Sequence, residues 1–337
     1  MIRRLADRAL EASVLGGFSR IGYSGRRALF DWSHDTASAA DLTGKVMLVT
    51  GATSGLGAET AHAMAVRGAR VFLVGRDGER AERVRDAILA QVPTAQVKVH
   101  LADLADLAAA AGLVEAVLAA ETHLDVLVHN AGALVHDEQR TPQGLELTAA
   151  VHVVSPFLIT SGLLPLLRAT AGSRVITVAS GGMYTARLDL DALDAPPAPF
   201  DGVRAYANAK RAAVVLNEDW AQRPQAARVT FAAMHPGWVA TPGLVASLPG
   251  FARLTRPLLR TPAQGADTIC WLAATPALLP NGRFWCDRAE RPTHKLKRTR
   301  TGPAEAAALR AWVAGVAGEW VALAEPAGAV RASEAKS

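Results

Sequence analysis

The chain has 337 residues, of which half are hydrophobic and 20% charged, with a net charge of +5. That composition supplies one large domain with a substantial core and excludes the low-hydrophobicity, high-charge class of disordered chains. Two cysteines, Cys270 and Cys286, exclude a disulfide framework and show no metal-ligand spacing, so no metal is expected and a reducing, cytoplasmic compartment fits.

Residues 1–40 read as an amphipathic extension. Ile2, Leu5, Ala9 and Ala12 fall at helical spacing, with Arg3, Arg4, Asp7, Arg8 and Glu11 on other faces, until Gly16 and Gly17 interrupt. A second amphipathic piece is predicted from Arg26 to Trp32. The charges leave no apolar run of the kind a cleaved signal peptide needs. The first reading is an extension that packs on the domain or stays mobile; the arginines and Phe18, Tyr23, Phe30 and Trp32 offer a peripheral membrane anchor as the alternative.

From Lys45 the pattern becomes strand, turn, helix, repeated. Strands are predicted over 46–50, 70–74, 96–101, 125–129, 174–179, 228–234 and 283–286. Helices are predicted over 56–67, 78–91, 106–120, 144–168 and 204–222, with a last one from Pro303 to about Leu323. Apolar strands alternating with amphipathic helices imply an α/β fold, a doubly wound parallel sheet with helices on both faces. Its ligand site should lie beyond the carboxyl ends of the strands. Residues 41–325 form this domain, and 326–337 read as a flexible tail. No window of about 18 residues is both uncharged and strongly apolar, so no membrane-spanning helix is expected. Between Arg283 and Arg300 seven Lys or Arg stand against Asp287 and Glu290. That stretch is a solvated loop or a surface drawn to anionic lipid or a phosphorylated ligand. No aromatic–basic motif points to nucleic acid.

The first strand runs into Thr50-Gly51-Ala52-Thr53-Ser54-Gly55-Leu56-Gly57. Glycines at a strand-to-helix turn bring backbone N–H groups and the positive end of a helix to a pyrophosphate. Arg76, at the end of the second strand, offers a planar cation to a ribose 2′-phosphate where a carboxylate would favour the 2′-hydroxyl. This favours NADP(H) over NAD(H), although Asp77 would reverse the preference if the register shifted by one. Asp103, with Leu104 beside it, follows the third strand and can accept a hydrogen bond from an adenine amino group. Asn130, Ala131 and Gly132 close the fourth strand with small residues that let a cofactor pass near the backbone.

Tyr206 and Lys210 are four apart on a predicted helix and share a face. An ammonium beside a phenol favours the phenolate, so the hydroxyl can exchange a proton with a carbonyl or alcohol oxygen as hydride moves. Ser180, after the fifth strand, can hold that oxygen beside Tyr206.

The glycine loop, Asn130-Ala131-Gly132, Ser180, Tyr206-x-x-x-Lys210 and His235-Pro236-Gly237 together resemble the short-chain dehydrogenase/reductase family over about residues 42–290. The resemblance implies seven strands in the order 3-2-1-4-5-6-7. It also implies that Lys210 holds the nicotinamide ribose, and that Pro236, Gly237, Val239 and Thr241 contact the nicotinamide. Where the family carries an asparagine, this chain has His152, which either substitutes in hydrogen bonding and proton relay or only fills space. A closer likeness to one subgroup rests on Ser180–Met183, Pro199–Gly202, Tyr206–Val215, Met234–Trp238, Ala263–Thr268 and Gly282–Trp285. The 25 residues between Ser180 and Tyr206 resemble a retinol-dehydrogenase-like insertion bordering the substrate pocket. Residues 242–262, with Leu244, Val245, Leu248, Phe251 and Leu254, read as a mobile apolar lid.

The expected activity is NADP(H)-dependent interconversion of a small apolar carbonyl compound and its alcohol. The alternative is a nucleotide-binding homologue with little catalysis, a sensor or scaffold. A homo-oligomer through the helix of Tyr206 is common in the family and is expected here unless the extensions block it.

Overall fold

The structure, a computed structural model, describes residues 2–32 and 35–324; the tail read over 326–337 lies outside them. In chain order the elements are α1 (Ile2–Ala12), α2 (Val14–Phe18), α3 (Arg20–Phe30), β1 (Val46–Thr50), α4 (Gly55–Ala65), β2 (Arg70–Gly75), α5 (Gly78–Gln91), β3 (Val97–Leu101), α6 (Leu107–Ala120) and β4 (Val126–His129). There follow α7 (Leu147–Ala149), α8 (Ser155–Ala169), β5 (Arg174–Val178), α9 (Asp191–Asp194), α10 (Gly202–Trp220), β6 (Thr230–Met234), α11 (Pro242–Ser247), α12 (Pro249–Thr255), α13 (Pro262–Ala274), β7 (Arg283–Cys286), β8 (Ala289–Arg291) and α14 (Pro303–Ala324).

The sheet runs β3-β2-β1-β4-β5-β6-β7-β8. Strands β1 to β7 are parallel, in the order the family resemblance implied, and β8 adds an antiparallel edge that the sequence reading missed. Three residues are too few for periodicity to reveal. Side chains alternate across the sheet. Val46 and Leu48 join a core with α6, α8, α10 and α14, while Met47 and Val49 join one with α4, α5 and α13. The last helix buries Leu309, Val313 and Ala317 at i, i+4, i+8 and packs on α6, α8 and α10.

The stretch Leu147–Ala169 corrects one expectation. It is long and apolar enough to cross a membrane, with mean hydropathy 1.8, yet 72% of its apolar window is buried in this core. A π-helical turn over Ala150–Val154 separates α7 from α8 just before Pro156, whose missing N–H suits a helix start.

The extension folds back on the domain as three helices. Ser13 caps α2 by accepting from the Gly16 N–H, and Ser19 caps α3 by accepting from the Ile21 N–H. The second amphipathic piece therefore begins six residues before the predicted Arg26. Helices α2 and α3 cross so closely that a Cβ on Gly22 would lie 1.7 Å from the Gly16 carbonyl oxygen. The extension docks on part of the basic stretch. Arg291 pairs with Asp7 at 2.8 Å, Lys295 with Glu11 at 2.8 Å, and Arg288 with Asp35 at 3.2 Å. The solvated-loop reading thus fails for Arg288 and Arg291, whose side chains are 10% and 6% exposed.

Candidate active site

The glycine turn is built by exclusion of side chains. Gly51 and Gly55 have φ of +64° and +54°, which favour glycine. A Cβ on Gly57 would stand 2.3 Å from the Gly51 carbonyl oxygen and 2.4 Å from Asn130 Nδ2. Asn130 clamps the turn by donating from Nδ2 to the carbonyls of Thr50 (2.9 Å) and Gly51 (3.2 Å). The Thr50 hydroxyl accepts from the N–H groups of Asn130 and Ala131 at 3.0 and 3.1 Å. Thr53 packs under Gly75, and Thr241 packs on Gly55, so β2 and the segment after β6 meet the turn from two sides. Ser54 stands at the start of α4 and makes no side-chain bond to that helix. This cradle, which a single Cβ would fill, fits the pyrophosphate of a nicotinamide dinucleotide.

Arg76 is exposed and forms no ion pair with any described residue. Asp77 is engaged: it caps α5 by accepting from the Arg80 N–H and pairs with Arg80 Nε at 3.0 Å. Asp103 is exposed and accepts from the Ala105 N–H, while the buried Leu104 gives its carbonyl to the Ser155 hydroxyl at 2.7 Å.

The second cluster stands at the ends of β5 and β6. Ser180 caps a 3-10 turn over Gly181–Thr185, its Oγ accepting from the Gly182 N–H at 3.2 Å. Ser180 lies near enough to the Tyr206 hydroxyl to act on its titration. Lys210 is buried, lies 5.7 Å from the Tyr206 ring centroid, and donates to the Val178 carbonyl at 2.7 Å. Burial lowers the Lys210 ammonium to about 7. Burial also pushes the Tyr206 hydroxyl above its ordinary value, against the pull expected of Lys210, and Ser180 acts the other way.

His152 sits on the π-helical turn, its ring edge-on to Tyr206 at 5.3 Å. Its Nε2 lies 3.2 Å from the Ala133 amide nitrogen and 3.0 Å from the Ala133 oxygen, so the loop backbone holds the ring in either tautomer. The other ring nitrogen is buried without a partner, and burial holds the imidazole neutral well below its usual value. Gly132 leaves room for it, since a Cβ there would lie 2.7 Å from His152 Cε1.

The Pro236–Thr241 segment follows β6. Gly237 has φ of +76°, Val239 bridges to Arg260 in parallel, and Thr241 caps α11. Ser180, Tyr206, Lys210 and His152 thus form one cluster, and the glycine turn, Asn130 and Thr241 another, on the same edge of the sheet. A cavity of about 480 Å3 opens between His136 and residues 197–204, just before Tyr206.

A family profile described as short chain dehydrogenase matches residues 45–248. The chain belongs to the short-chain dehydrogenase/reductase family. It is an NAD(P)-dependent oxidoreductase acting on CH–OH groups. The Bos taurus protein "Dehydrogenase/reductase SDR family member 12" is 41% identical over 265 residues, covering 78% of this chain and 83% of that protein. This is the subgroup to which the closer strings pointed. Human retinol dehydrogenase 11 is 35% identical over 245 residues, covering 72% of this chain and 76% of its own. A crystal structure from Beutenbergia cavernae superposes with a TM-score of 0.60 at 28% identity, covering 72% of this chain and 95% of that one. It bears the provisional description NAD(P) dependent gluconate 5-dehydrogenase and holds NADP at low occupancy.

Sequence reasoning missed the residues behind this dehydrogenase's second cluster: Phe18, Arg26, Arg260 and Asp287. A buried arginine looks like a surface arginine in sequence, and no local pattern marks it. It also missed Ser247, whose Oγ donates to the Leu134 carbonyl at 3.0 Å and whose own carbonyl lies 2.7 Å from His136 Nε2.

Proposed function

We propose that this dehydrogenase uses NADP(H) to interconvert an apolar carbonyl compound and its alcohol, with Tyr206 as general acid/base. One observation carries the reading: the buried Lys210 ammonium lies 5.7 Å from the Tyr206 ring, with Ser180 near enough to act on the same hydroxyl. The nicotinamide, when bound, supplies or accepts the hydride. The chain does the rest. Gly51, Thr53, Ser54, Gly55, Leu56 and Gly57 hold the pyrophosphate; Asp103 and Leu104 border the adenine; Asn130, Ala131 and Gly132 line the middle of the cleft. Pro236, Gly237, Val239 and Thr241 border the nicotinamide, and Lys210 holds its ribose. Ser180 orients the substrate oxygen, Tyr206 moves the proton, and His152 keeps a neutral hydrogen-bonding group against the tyrosine ring.

Arg76 supports NADP(H): it is the unpaired cation at the end of β2, whereas Asp77 is occupied at its helix cap. The lid supports an apolar substrate, since Val245 and Leu254 are exposed and Phe251 stacks edge-on against Trp238 at 5.3 Å. Ser247 latches α11 across the cleft to Leu134 and His136. The test is Tyr206→Phe assayed on an aldehyde and ketone panel with NADPH. Its kcat should fall by on the order of 10²–10⁴ while NADPH still quenches the protein's fluorescence. Turnover equal to that of the parent chain would reject Tyr206.

A peripheral membrane contact rests on how the extension divides its charges. Asp7 and Glu11 turn inward to Arg26, Arg291 and Lys295. The outer surface carries Arg3, Arg4, Arg8, Arg20 and Arg27 with exposed Ile2, Leu5, Val14, Leu15 and Ile21. The full chain should co-sediment with vesicles rich in anionic lipid and release in high salt. Leu15→Asp with Ile21→Asp should stay in solution; no binding by the parent chain ends this reading.

A further inference from the structure

The extension does more than cover the domain. Helix α2 ends at Phe18, and this residue lies between the two loops assigned above to the reacting end of the cofactor. On one side its carbonyl accepts from the Trp238 N–H at 2.7 Å. Its ring stacks on His235 at 4.9 Å and on Trp238 at 5.8 Å, both at 24°. On the other side it fills the place where Gly181 has no side chain: a Cβ there would lie 2.0 Å from Phe18 Cε1. Gly181 is the neighbour of Ser180. One ring therefore sets the spacing between the Ser180 loop and the His235–Thr241 loop, and it lies outside the span matched by the family profile.

A buried array of charges locks the ring in place. Arg260 donates to the Pro236 carbonyl (3.1 Å), to the Ser19 carbonyl (3.2 Å) and to Asp287 (2.6 and 2.9 Å). Asp287 also accepts from Arg26 at 2.6 Å, and Arg26 donates to the Gly16 carbonyl at 2.9 Å. The Arg260 N–H donates to the Trp238 carbonyl, and its carbonyl accepts from the Ala240 N–H. One guanidinium thus ties α2–α3, the loop after β6 and the turn after β7. The side chains of Arg26, Arg260 and Asp287 are 0%, 1% and 0% exposed. Such an array holds a geometry only while every member is present, because an unpaired buried charge is costly.

We infer that the N-terminal helices are a brace on the nicotinamide-side loop, with Phe18 as a positioning residue seated by the Arg26–Asp287–Arg260 array. The inference rests on the cofactor assignment above. A small displacement of a positioned group costs heavily in rate and binding, whereas a purely structural contact would cost stability alone.

The experiment compares Phe18→Ala with Leu10→Ala, which weakens the packing of the same helices without touching the loop. In Phe18→Ala the KM and Kd for NADPH should rise about ten-fold or more, with a smaller change in the KM for the carbonyl substrate. In Leu10→Ala the thermal midpoint should fall and the KM for NADPH should not move. Phe18→Leu keeps bulk without a stacking face, so its cofactor KM should fall between Ala and the parent. It takes the place of Phe18→Ala if that variant does not accumulate folded. In the parent chain, NADPH should slow amide exchange in residues 14–21 as well as in 235–241. An unchanged cofactor KM in both Phe18 variants, or no added protection in 14–21, overturns the brace alone. A parent chain that binds neither NADPH nor NADH overturns the brace together with the cofactor assignment.

Discussion

The two ends of the proposed cofactor cleft are built from different materials. At the ends of β1, β2 and β4 the walls are backbone: glycines with no Cβ to spare, and the short bonds of Thr50 and Asn130 that close the turn. At the ends of β5 and β6 the walls stand on side chains drawn from distant segments, with Phe18 as a wedge and Arg26, Asp287 and Arg260 as a buried lock. A backbone-built wall fails by steric clash and fails locally. A wall set on buried charges fails electrostatically, and the loss reaches every segment the charges join.

The largest test of that contrast is Asp287→Asn. The residue has φ of +52°, a left-handed conformation that asparagine tolerates, so the amide changes charge with little change in shape. Burial alone would raise this carboxyl, but Arg260 and Arg26 overcome burial and hold it below the ordinary range. Arg260 then loses its only carboxylate partner among the described residues, while Arg26 keeps Asp7 and Glu11, and the uncompensated buried charge should cost about 3–5 kcal/mol in urea unfolding. A loss below about 1 kcal/mol, the scale of an exposed pair, would mean that the charges do not hold the nicotinamide end.

The same contrast explains what the sequence revealed. Parallel strands β1 to β7, the glycine turn, Asn130, Tyr206 and Lys210 were legible because each is a local pattern: an apolar run, a small-residue turn, two side chains one helical turn apart. Strand β8, the start of α3 at its Ser19 cap and the π-helical turn under His152 were not: β8 is three residues long, and a serine cap or a π turn carries no periodic signal. The basic stretch misled for a related reason. Arg288 and Arg291 count as surface charge in any window, and only the fold brings Asp35 and Asp7 from the extension against them. The helix Leu147–Ala169 was under-read instead: its apolar window was overlooked, and the sheet with α6 and α14 buries it.

At the adenosine end the contrast sharpens with Arg76→Ser. The side chain is exposed and unpaired, so the thermal midpoint should stay where it is. A charge-assisted hydrogen bond to a 2′-phosphate contributes about 1.5–3 kcal/mol. The ratio of kcat/KM for NADPH over NADH should therefore fall by about 10–100-fold. An unchanged ratio would remove Arg76 from the cofactor site and return the preference to an open question at Asp77.

The smallest effect belongs to Lys210, and its sign is opposite to that of most active-site substitutions. Burial lowers the folded ammonium to about 7, and its hydrogen bond goes to the Val178 carbonyl. In the unfolded chain the same group titrates at about 10.4. Between those values the unfolded state binds more protons than the folded one, so stability rises with pH. Below the folded value both states are charged and the full desolvation cost stands; above the unfolded value it is gone. Lys210→Met removes the group, so without cofactor the variant should be more stable than the parent at pH 6. From pH 6 to pH 8 the parent should recover roughly 1.4 kcal/mol that the variant does not, because only the last unit lies above the folded value. Urea unfolding of both chains at the two pH values measures this double difference. Parallel behaviour would mean that Lys210 stays charged in the folded chain, with its ammonium solvated or paired at the nicotinamide end in a way the Val178 contact does not provide.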